Sequence, residues 1–347
     1  MGQGQAKQGL GYESPGAEYN PETLVPIKHM DSLTRRTFLE KVSVLTAGAF
    51  VAASGLRTAS AESKPEPHIP FPTAPRDRLA VASYPFRAYI ESPNNRDRNR
   101  SLPGMDLTEF GAEVVRKFNV HNIEPHSRHF RSLDAEYLSR FREALQKANV
   151  KAVDIAVDGR DSFYDENPAV RKRAIANGKT WVDVAVAIGC PSIRTHIEGK
   201  SAPNVPRTVE SLREVASYGA EKNVVVNLEN DDLVSEDAFF IVKVIDAVGS
   251  PYLHALPDFA NSMLTGDADF NYRAVQAMFE HAYCICHVKD GETGDGGKEF
   301  SIDMGKTFGI LKASGYRGYC SMEYDRESGD PYAATAKLIE QSLQYLA

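Results

Sequence analysis

The feature that most constrains the fold of this chain is an alternation of short apolar runs with longer stretches of helical period, which starts near Leu79. Eight such units follow one another, and their apolar runs predict strands at residues 79–86, 122–125, 151–157, 192–196, 224–230, 253–258, 285–289 and 319–324. Strands that alternate with helices form parallel sheets. Because no glycine-rich dinucleotide fingerprint is present, the pattern predicts a single-domain (β/α)8 TIM barrel of the α/β class.

Polar residues mark the boundaries of these units. Asp106, Asp134 and Ser235 stand where helices are expected to begin, and each can cap the first turn. The polar segments 91–104 and 291–301 follow the first and seventh strands. We expect both segments to be loops on the face where barrel enzymes build their active sites.

Composition and charge exclude several classes of protein. With 42% apolar and 25% charged residues, the chain has the balance of a soluble globular protein. A formal net charge of -7 disfavours a nucleic-acid partner, because neutralising phosphates requires a basic face. The four cysteines lie in apolar stretches without any CxxC pair, which favours buried thiols over a zinc cluster or a disulfide framework.

The N-terminal region has the order of an export signal. Residues 1–29 are rich in Gly, Gln, Pro and Glu, and we expect a disordered extension there. Residues 30–61 contain Thr-Arg-Arg-Thr-Phe-Leu, a short apolar run and a terminal Ala-Ser-Ala, as in a twin-arginine signal peptide. Residues 62–78 then read as a linker, and 79–347 as the barrel. The sequence therefore predicts transport by the twin-arginine machinery to the periplasm or outside the cell, without a stable membrane anchor.

Chemistry-bearing side chains are concentrated at the ends of the last four predicted strands. The polar residues that end these strands are Glu229, Asp258, His287 and Glu323. The carboxyl ends of barrel strands meet at one site, and acidic groups that converge there repel one another unless a cation or protons neutralise them. Three carboxylates and one imidazole suit a single divalent metal ion. We expect Mn²⁺, with Mg²⁺, Co²⁺ or Zn²⁺ as alternatives.

These strand ends resemble the xylose isomerase-like barrel superfamily, which includes tagatose- and psicose-type 3-epimerases, inosose dehydratases and related sugar isomerases. The resemblance runs from about residue 79 to 347. It is carried by Val-Val-Asn-Leu-Glu229-Asn, Leu-Pro-Asp258, Cys-His287-Val-Lys-Asp and Gly-Tyr-Arg-Gly-Tyr-Cys-Ser-Met-Glu323-Tyr. Ser-Tyr-Pro-Phe-Arg at 83–87 and Ile-Glu124 also look like the opening pattern of that family.

The resemblance implies that the four residues bind the metal and that Glu229 and Glu323 are also the catalytic acid/base pair. The implied enzyme is a sugar isomerase or epimerase that transfers a proton through a metal-stabilised enediolate. Loss of a β-leaving group after the same proton abstraction gives the alternative, a lyase or hydrolase that cleaves 3-keto-glycosides. The substrate is in either case a small carbohydrate.

Four further residues are candidates for substrate binding. Asn261 stands where sugar epimerases of this family often have a histidine, three residues after the aspartate ligand. An amide can hold a hydroxyl group but cannot shuttle a proton at neutral pH. Lys289 follows the histidine ligand by two residues, and His196 and His126 stand at the ends of the fourth and second strands. All four are expected at the mouth of the barrel.

Two other functions known for such barrels are disfavoured by the sequence. An endonuclease IV-like DNA repair enzyme needs more histidines at strand ends than this chain supplies, and acidity and export oppose it. A binding protein that has lost catalysis is disfavoured by the presence of both Glu229 and Glu323. Assembly into a homo-oligomer is left open.

Overall fold

The computed structural model describes residues 66–199, 201–326 and 329–347. The predicted disordered extension and the predicted signal peptide lie outside the described residues. Within the described part of the chain, no helix combines the length and apolar character needed to cross a membrane.

Short strands form the barrel wall and one additional hairpin. In chain order they are β1 (Leu79–Ala82), β2 (Asn122–Glu124), β3 (Lys151–Ala152), β4 (Ile155–Val157), β5 (Ser192–Thr195), β6 (Val225–Glu229), β7 (Leu253–Leu256), β8 (Ile285–Val288), β9 (Gly291–Gly294), β10 (Lys298–Ser301) and β11 (Tyr319–Met322). Apart from the antiparallel pair of β9 and β10, all paired strands are parallel.

Helices alternate with the wall strands and cover the outside of the barrel. They are α1 (Leu107–Phe118), α2 (Ala135–Lys147), α3 (Pro168–Ile188), α4 (Val205–Lys222), α5 (Ala238–Val248), α6 (Ala268–Phe279), α7 (Met304–Ala313) and α8 (Pro331–Leu346). Their apolar faces and the outward side chains of the strands form the large core between the two layers. The predicted (β/α)8 TIM barrel is thereby confirmed.

The barrel closes through two sheets that meet at two seams. One sheet has the order β3-β2-β1-β11-β8 and the other β4-β5-β6-β7. At the first seam His126 bridges Ala156, and at the second Asp258 bridges His287. The second seam therefore places two of the predicted metal ligands side by side.

Three local predictions need correction or refinement. The third wall strand is split into β3 and β4, and between them Asp154 is buried and accepts hydrogen bonds from Ser192 Oγ and Asn227 Nδ2. The predicted loop 291–301 forms the β9–β10 hairpin. The cap at Ser235 is wrong: Asp237 caps α5 instead, accepting hydrogen bonds from the first turn, while Asp106 and Asp134 cap α1 and α2 as expected.

The amino-terminal end of the barrel is closed by the segment that precedes β1. Phe71 packs edge-on against Tyr283 and Tyr319, with ring centroids 5.2 and 5.9 Å apart. The hydroxyl groups of Tyr283 and Tyr252 donate to the carbonyls of Pro67 and Glu66. Solvent is thus kept from this end, and the opposite, carboxyl end is left to form a site.

The four cysteines are free thiols within the described residues. Cys190, Cys284, Cys286 and Cys320 are all buried, with no disulfide between them. This confirms the reading of these residues as small apolar side chains.

Candidate active site

The four predicted metal ligands converge at the carboxyl end of the barrel. Glu229 ends β6, Asp258 follows β7, His287 lies on β8 and Glu323 follows β11. One ligand atom from each side chain lies within 4.8 Å of the others, and all four residues are buried. We call this set the tetrad. It has the donor composition that a divalent cation takes in proteins.

One oxygen in the tetrad accepts no hydrogen bond, although Lys289 Nζ and His287 Nδ1 lie 3.5 and 3.7 Å from it. Asp258 Oδ1 accepts hydrogen bonds from the backbone amides of Ala260 and Asn261, at 2.7 and 2.8 Å, so the carboxylate is fixed in orientation. Asp258 Oδ2 is buried and accepts no hydrogen bond from any described residue. Burial raises the pKa of this carboxyl to about 7, although Lys289 acts to lower it. A buried carboxylate oxygen that is fixed in orientation and accepts no hydrogen bond suits a metal ligand.

His287 is oriented by a residue that sequence reasoning did not include in the site. Its Nε2 lies 2.8 Å from Glu124 Oε1, and both side chains are fully buried. Its Nδ1 faces the tetrad, 2.7 Å from Glu229 Oε1 and 3.0 Å from Glu323 Oε2. A metal-binding histidine commonly donates its second ring N–H to a carboxylate, which fixes the ring and makes the other nitrogen a better ligand. Glu124 is in position to do this.

The signal for Glu124 was present in the sequence. It is the last residue of β2, and the same rule that selected the tetrad, a charged side chain at the carboxyl end of a barrel strand, applies to it. Its separation of 163 residues from His287 conceals the contact. Asp158, one residue beyond β4, is a second site residue missed in the same way.

Glu229 is kept ionised by neighbouring cations. Arg194 Nε lies 3.0 Å from Glu229 Oε2, and both side chains are nearly inaccessible to solvent. Burial alone raises the pKa of Glu229, but the charges of His287 and Arg194 outweigh it and hold the pKa well below its usual value. An ionised carboxylate at this position can bind a cation or accept a proton.

Glu323 has a cationic neighbour of its own. Lys289 Nζ lies 3.4 Å from Glu323 Oε2, and it donates a hydrogen bond to Asn261 Oδ1 at 2.9 Å. Burial opposes ionisation of Glu323, but His287 and Lys289 lower its pKa to about 2. The two predicted acid/base residues are therefore both carboxylates at neutral pH.

Asn261 connects the two sides of this arrangement. Its Nδ2 donates to Glu229 Oε1 at 3.3 Å, while its Oδ1 accepts from Lys289. The amide thus holds an acceptor and a donor in place at once. The predicted substrate-binding residues Asn261 and Lys289 lie next to the tetrad.

His196 and His126 line a polar cavity that lies above the tetrad. His196 Nδ1 contacts Glu236 Oε2 at 2.8 Å, and its Nε2 contacts the guanidinium of Arg194. Glu236 also accepts the backbone amide of Glu198 at 3.0 Å, so the histidine rests on an ordered carboxylate. The three groups His196, Asp231 and Glu236 bring one potential ligand atom each within 4.8 Å.

Asp158 links the histidine side of the cavity to its arginines. His126 Nε2 and Arg128 Nη2 lie 3.2 and 2.6 Å from its two oxygens, and Arg194 Nη1 lies 3.6 Å away. Burial would raise the pKa of Asp158, but the contact with His126 and the charges of Arg194 and His196 lower it below its ordinary value. Asp158 is therefore an anion that cross-links three elements of the wall.

The side chains enclose a polar cavity of about 220 Å³ above the tetrad. Its walls include all four predicted substrate-binding residues, His126, His196, Asn261 and Lys289. Glu229 and Glu323 also reach its surface. The fold thus brings together every residue that the sequence assigned to the site. Their chemical roles stay predictions.

Solved structures of similar fold are numerous and distant in sequence. A xylose isomerase domain protein from Planctomyces limnophilus is 21% identical, covering 79% of this chain and 96% of its own, with a TM-score of 0.57. A D-allulose 3-epimerase from Methylomonas sp. is 15% identical, covering 80% of this chain and 100% of its own, with a TM-score of 0.59. A protein from Mycobacterium smegmatis in complex with magnesium is 15% identical, covering 78% and 96%, with a TM-score of 0.59.

The family model settles what these distant likenesses leave open. No curated protein matches the chain significantly. A model described as "Xylose isomerase-like TIM barrel" matches residues 112–347, which include β2 to β11 and the complete tetrad. The chain therefore belongs to the xylose isomerase-like TIM barrel family.

Proposed function

We propose that the protein is a metal-dependent isomerase or epimerase that acts on a sugar or a sugar derivative. The observation that carries this proposal is the tetrad itself, in which ligand atoms of four buried residues converge and Asp258 Oδ2 accepts no hydrogen bond. The presence of a D-allulose 3-epimerase and of a magnesium complex among the similar structures supports it.

Glu229, Asp258, His287 and Glu323 would hold the cation, with manganese as the proposed metal. When bound, a divalent ion polarises a carbonyl and an adjacent hydroxyl and acidifies the C–H bond beside them. The residues of the chain supply the rest of the chemistry: they orient the sugar, exclude water and move the proton.

Glu229 and Glu323 are the proposed proton-transfer pair. Each is ionised: His287 lies beside both, and each has a further cationic neighbour that stabilises the charge, Arg194 for Glu229 and Lys289 for Glu323. One carboxylate removes the proton from the carbon beside the carbonyl, and the other returns it. Return to the opposite face of the same carbon gives epimerisation, and return to the neighbouring carbon gives isomerisation.

The polar residues around the pair would orient the substrate. Lys289 and Asn261 present a donor and an amide next to the tetrad, and His196 and His126 face the cavity from the other wall strands. Fixed partners hold each of these side chains, so little ordering remains to be done when a sugar binds. This arrangement favours substrate hydroxyl groups as their ligands.

Cleavage of 3-keto-glycosides by β-elimination is the second candidate. One observation favours it: Lys289 is a buried ammonium group within 3.4 Å of Glu323 Oε2, where it can give a proton to a departing oxygen. The initial proton abstraction is the same as in epimerisation. The two candidates differ in whether the product keeps the substituent.

Export is a separate part of the proposal. The twin-arginine pattern within residues 30–61 supports delivery of a folded enzyme to the periplasm by the twin-arginine machinery. Replacement of Arg35 and Arg36 by lysine should retain the protein in the cytoplasm, as measured by cell fractionation. Normal export of that variant would contradict the proposal.

The test of the function begins with metal content. The full chain is reconstituted with Mn²⁺, desalted and measured by elemental analysis beside Glu323→Ala and a control, Glu136→Ala, on the exposed face of α2. We expect about one ion per chain in the wild type and the control, and loss of the ion in Glu323→Ala. The loaded protein is then incubated with aldoses, ketoses and 3-keto-glycosides in D2O.

Incorporation of deuterium beside the carbonyl, with the substrate skeleton intact, would support isomerase or epimerase activity. Release of the aglycone would move the lyase to first place. Retention of metal by Glu323→Ala would overturn the site assignment. Absence of deuterium exchange with every substrate class would overturn the reaction assignment.

A further inference from the structure

A second cavity, which we call the side cavity, lies beside the cavity above the tetrad. It has a volume of about 320 Å³ and shares Arg128 and Asp158 with the cavity above the tetrad. Its wall is built by the segments that follow β1, β2 and β4, together with one face of α3. The Arg128–Asp158 pair is therefore the wall that the two cavities have in common.

The side cavity has an excess of positive charge. Three arginines line it, Arg96, Arg128 and Arg160, against the single carboxylate of Asp158. Asp158 already pairs with Arg128 at 2.6 Å. Among the described residues, neither Arg96 nor Arg160 has a carboxylate within the 4.0 Å limit of an ion pair. Both residues are exposed to solvent, so in a chain of net charge -7 this cavity presents two guanidinium groups that are open to an anionic ligand.

The remaining wall suits a sugar ring. Trp181 and Asn177 are four residues apart on α3, so they lie on the same face of that helix, and Asn94 adds a second amide. Amides bind hydroxyl groups through both a donor and an acceptor. Trp181 itself is only 7% exposed and packs edge-on against Phe130, with ring centroids 5.3 Å apart, so the two amides are the wall groups that a sugar can reach.

We propose that the side cavity binds a second, negatively charged sugar unit, so that the substrate is a glycoside whose second residue carries a carboxylate or a sulfate ester. This inference rests on the proposed function, because it places the reacting sugar above the tetrad. The Arg128–Asp158 pair then marks the boundary between the reacting unit and its acidic neighbour. Arg96 and Arg160 are the residues that determine specificity for the charge.

The chain offers its own reporter for the test. Trp181 is the sole tryptophan of the sequence, so all indole fluorescence comes from the wall of the side cavity. The Mn²⁺-reconstituted full chain is titrated with cellobiose, cellobiouronic acid and cellobiose 6′-sulfate, by fluorescence and by calorimetry. The comparison of the two acidic probes distinguishes a carboxylate from a sulfate ester.

We expect the better acidic probe to bind about twentyfold tighter than cellobiose, with about fivefold lost in each of Arg96→Gln and Arg160→Gln. The double variant should bind acidic and neutral probes alike. Cellobiose affinity should not change, and added salt should weaken the acidic probes alone. Arg142→Gln, at an exposed position on α2, is the matched control.

Equal affinity of the wild type for acidic and neutral probes, an unchanged acid preference in the double variant, or no binding of any probe would each overturn the inference. Failure of the proposed function gives a different result. In that case the arginine-dependent acid preference persists while no substrate exchanges deuterium.

Discussion

Replacement of Glu124 by glutamine tests whether the tetrad binds metal in the way that the geometry implies. Glu124 Oε1 lies 2.8 Å from His287 Nε2, and neither side chain is exposed to solvent. Glutamine has nearly the same shape and can still accept the N–H, but it carries no charge. We therefore expect the fold to persist and the affinity for Mn²⁺ to fall.

The size of the effect follows from the kind of hydrogen bond that is lost. A hydrogen bond to a charged group contributes about 1.5–3 kcal/mol, against about 0.5–1.5 kcal/mol for a neutral one. The difference of roughly 1–2 kcal/mol corresponds to about a tenfold weaker metal affinity. This agrees with the losses of about 10- to 100-fold seen when partners of metal-binding histidines are replaced.

The assay is competition for Mn²⁺ with a fluorescent chelator at fixed pH, with thermal unfolding monitored by circular dichroism. Glu136→Gln, at an exposed position on α2, is the control and should bind like the wild type. A folded Glu124→Gln variant whose Mn²⁺ affinity stays within about twofold of the wild type would refute the reasoning, because His287 would then need no anionic partner.

Three further predictions concern stability. Burial and Glu124 raise the pKa of Asp154 to about 7, above the value of an unfolded aspartate, so the wild type loses stability as pH rises towards 7. Between pH 5 and pH 8, the free energy of unfolding of Asp154→Asn should therefore rise by about 3 kcal/mol relative to that of the wild type, as measured by urea unfolding of the metal-free proteins. A difference between the two proteins that does not change with pH would contradict this. Gly219→Ala places a Cβ 2.4 Å from the carbonyl oxygen of Val224 and should lower the free energy of unfolding by about 1–3 kcal/mol. Gly309→Ala meets nothing within 4 Å and should raise that free energy by up to about 1 kcal/mol. Chemical denaturation in which both variants shift the free energy of unfolding in the same direction would be inconsistent with the packing. Glu236→Ala removes the partner of His196 Nδ1 and the acceptor of two backbone amides, so amide hydrogen exchange in residues 230–237 should become faster. Glu221→Ala, on the exposed face of α4, is the control. Unchanged exchange would show that the Glu236 carboxylate does not order the segment.

The fold was predictable because its signals are local. Each strand and helix is encoded by the period of its own apolar residues, and caps such as Asp106 and Asp134 act within three residues of their own position. The tetrad was predictable for a related reason, since parallel strands in a closed barrel must deliver their ends to one place. The cap at Ser235 failed because Asp237, two residues later, competes for the same role.

The sequence by itself therefore determined the barrel, its catalytic end and the four groups that meet there. It did not determine their partners. The contact of Glu124 with His287 and that of Arg194 with Glu229 join strands across or around the barrel, and the alternation of apolar residues carries no information about which polar ends touch.

Tertiary structure alone decided the ionisation of the site and the shape of its surroundings. Burial in the closed barrel raises the pKa of Asp258 to about 7, whereas for Glu323 the charges of His287 and Lys289 outweigh burial and lower the pKa to about 2. The side cavity likewise exists only because three βα segments and α3 meet, which places Arg96 and Arg160 at one opening. Such groupings depend on distances between residues far apart in the chain, and those distances are a property of the folded barrel.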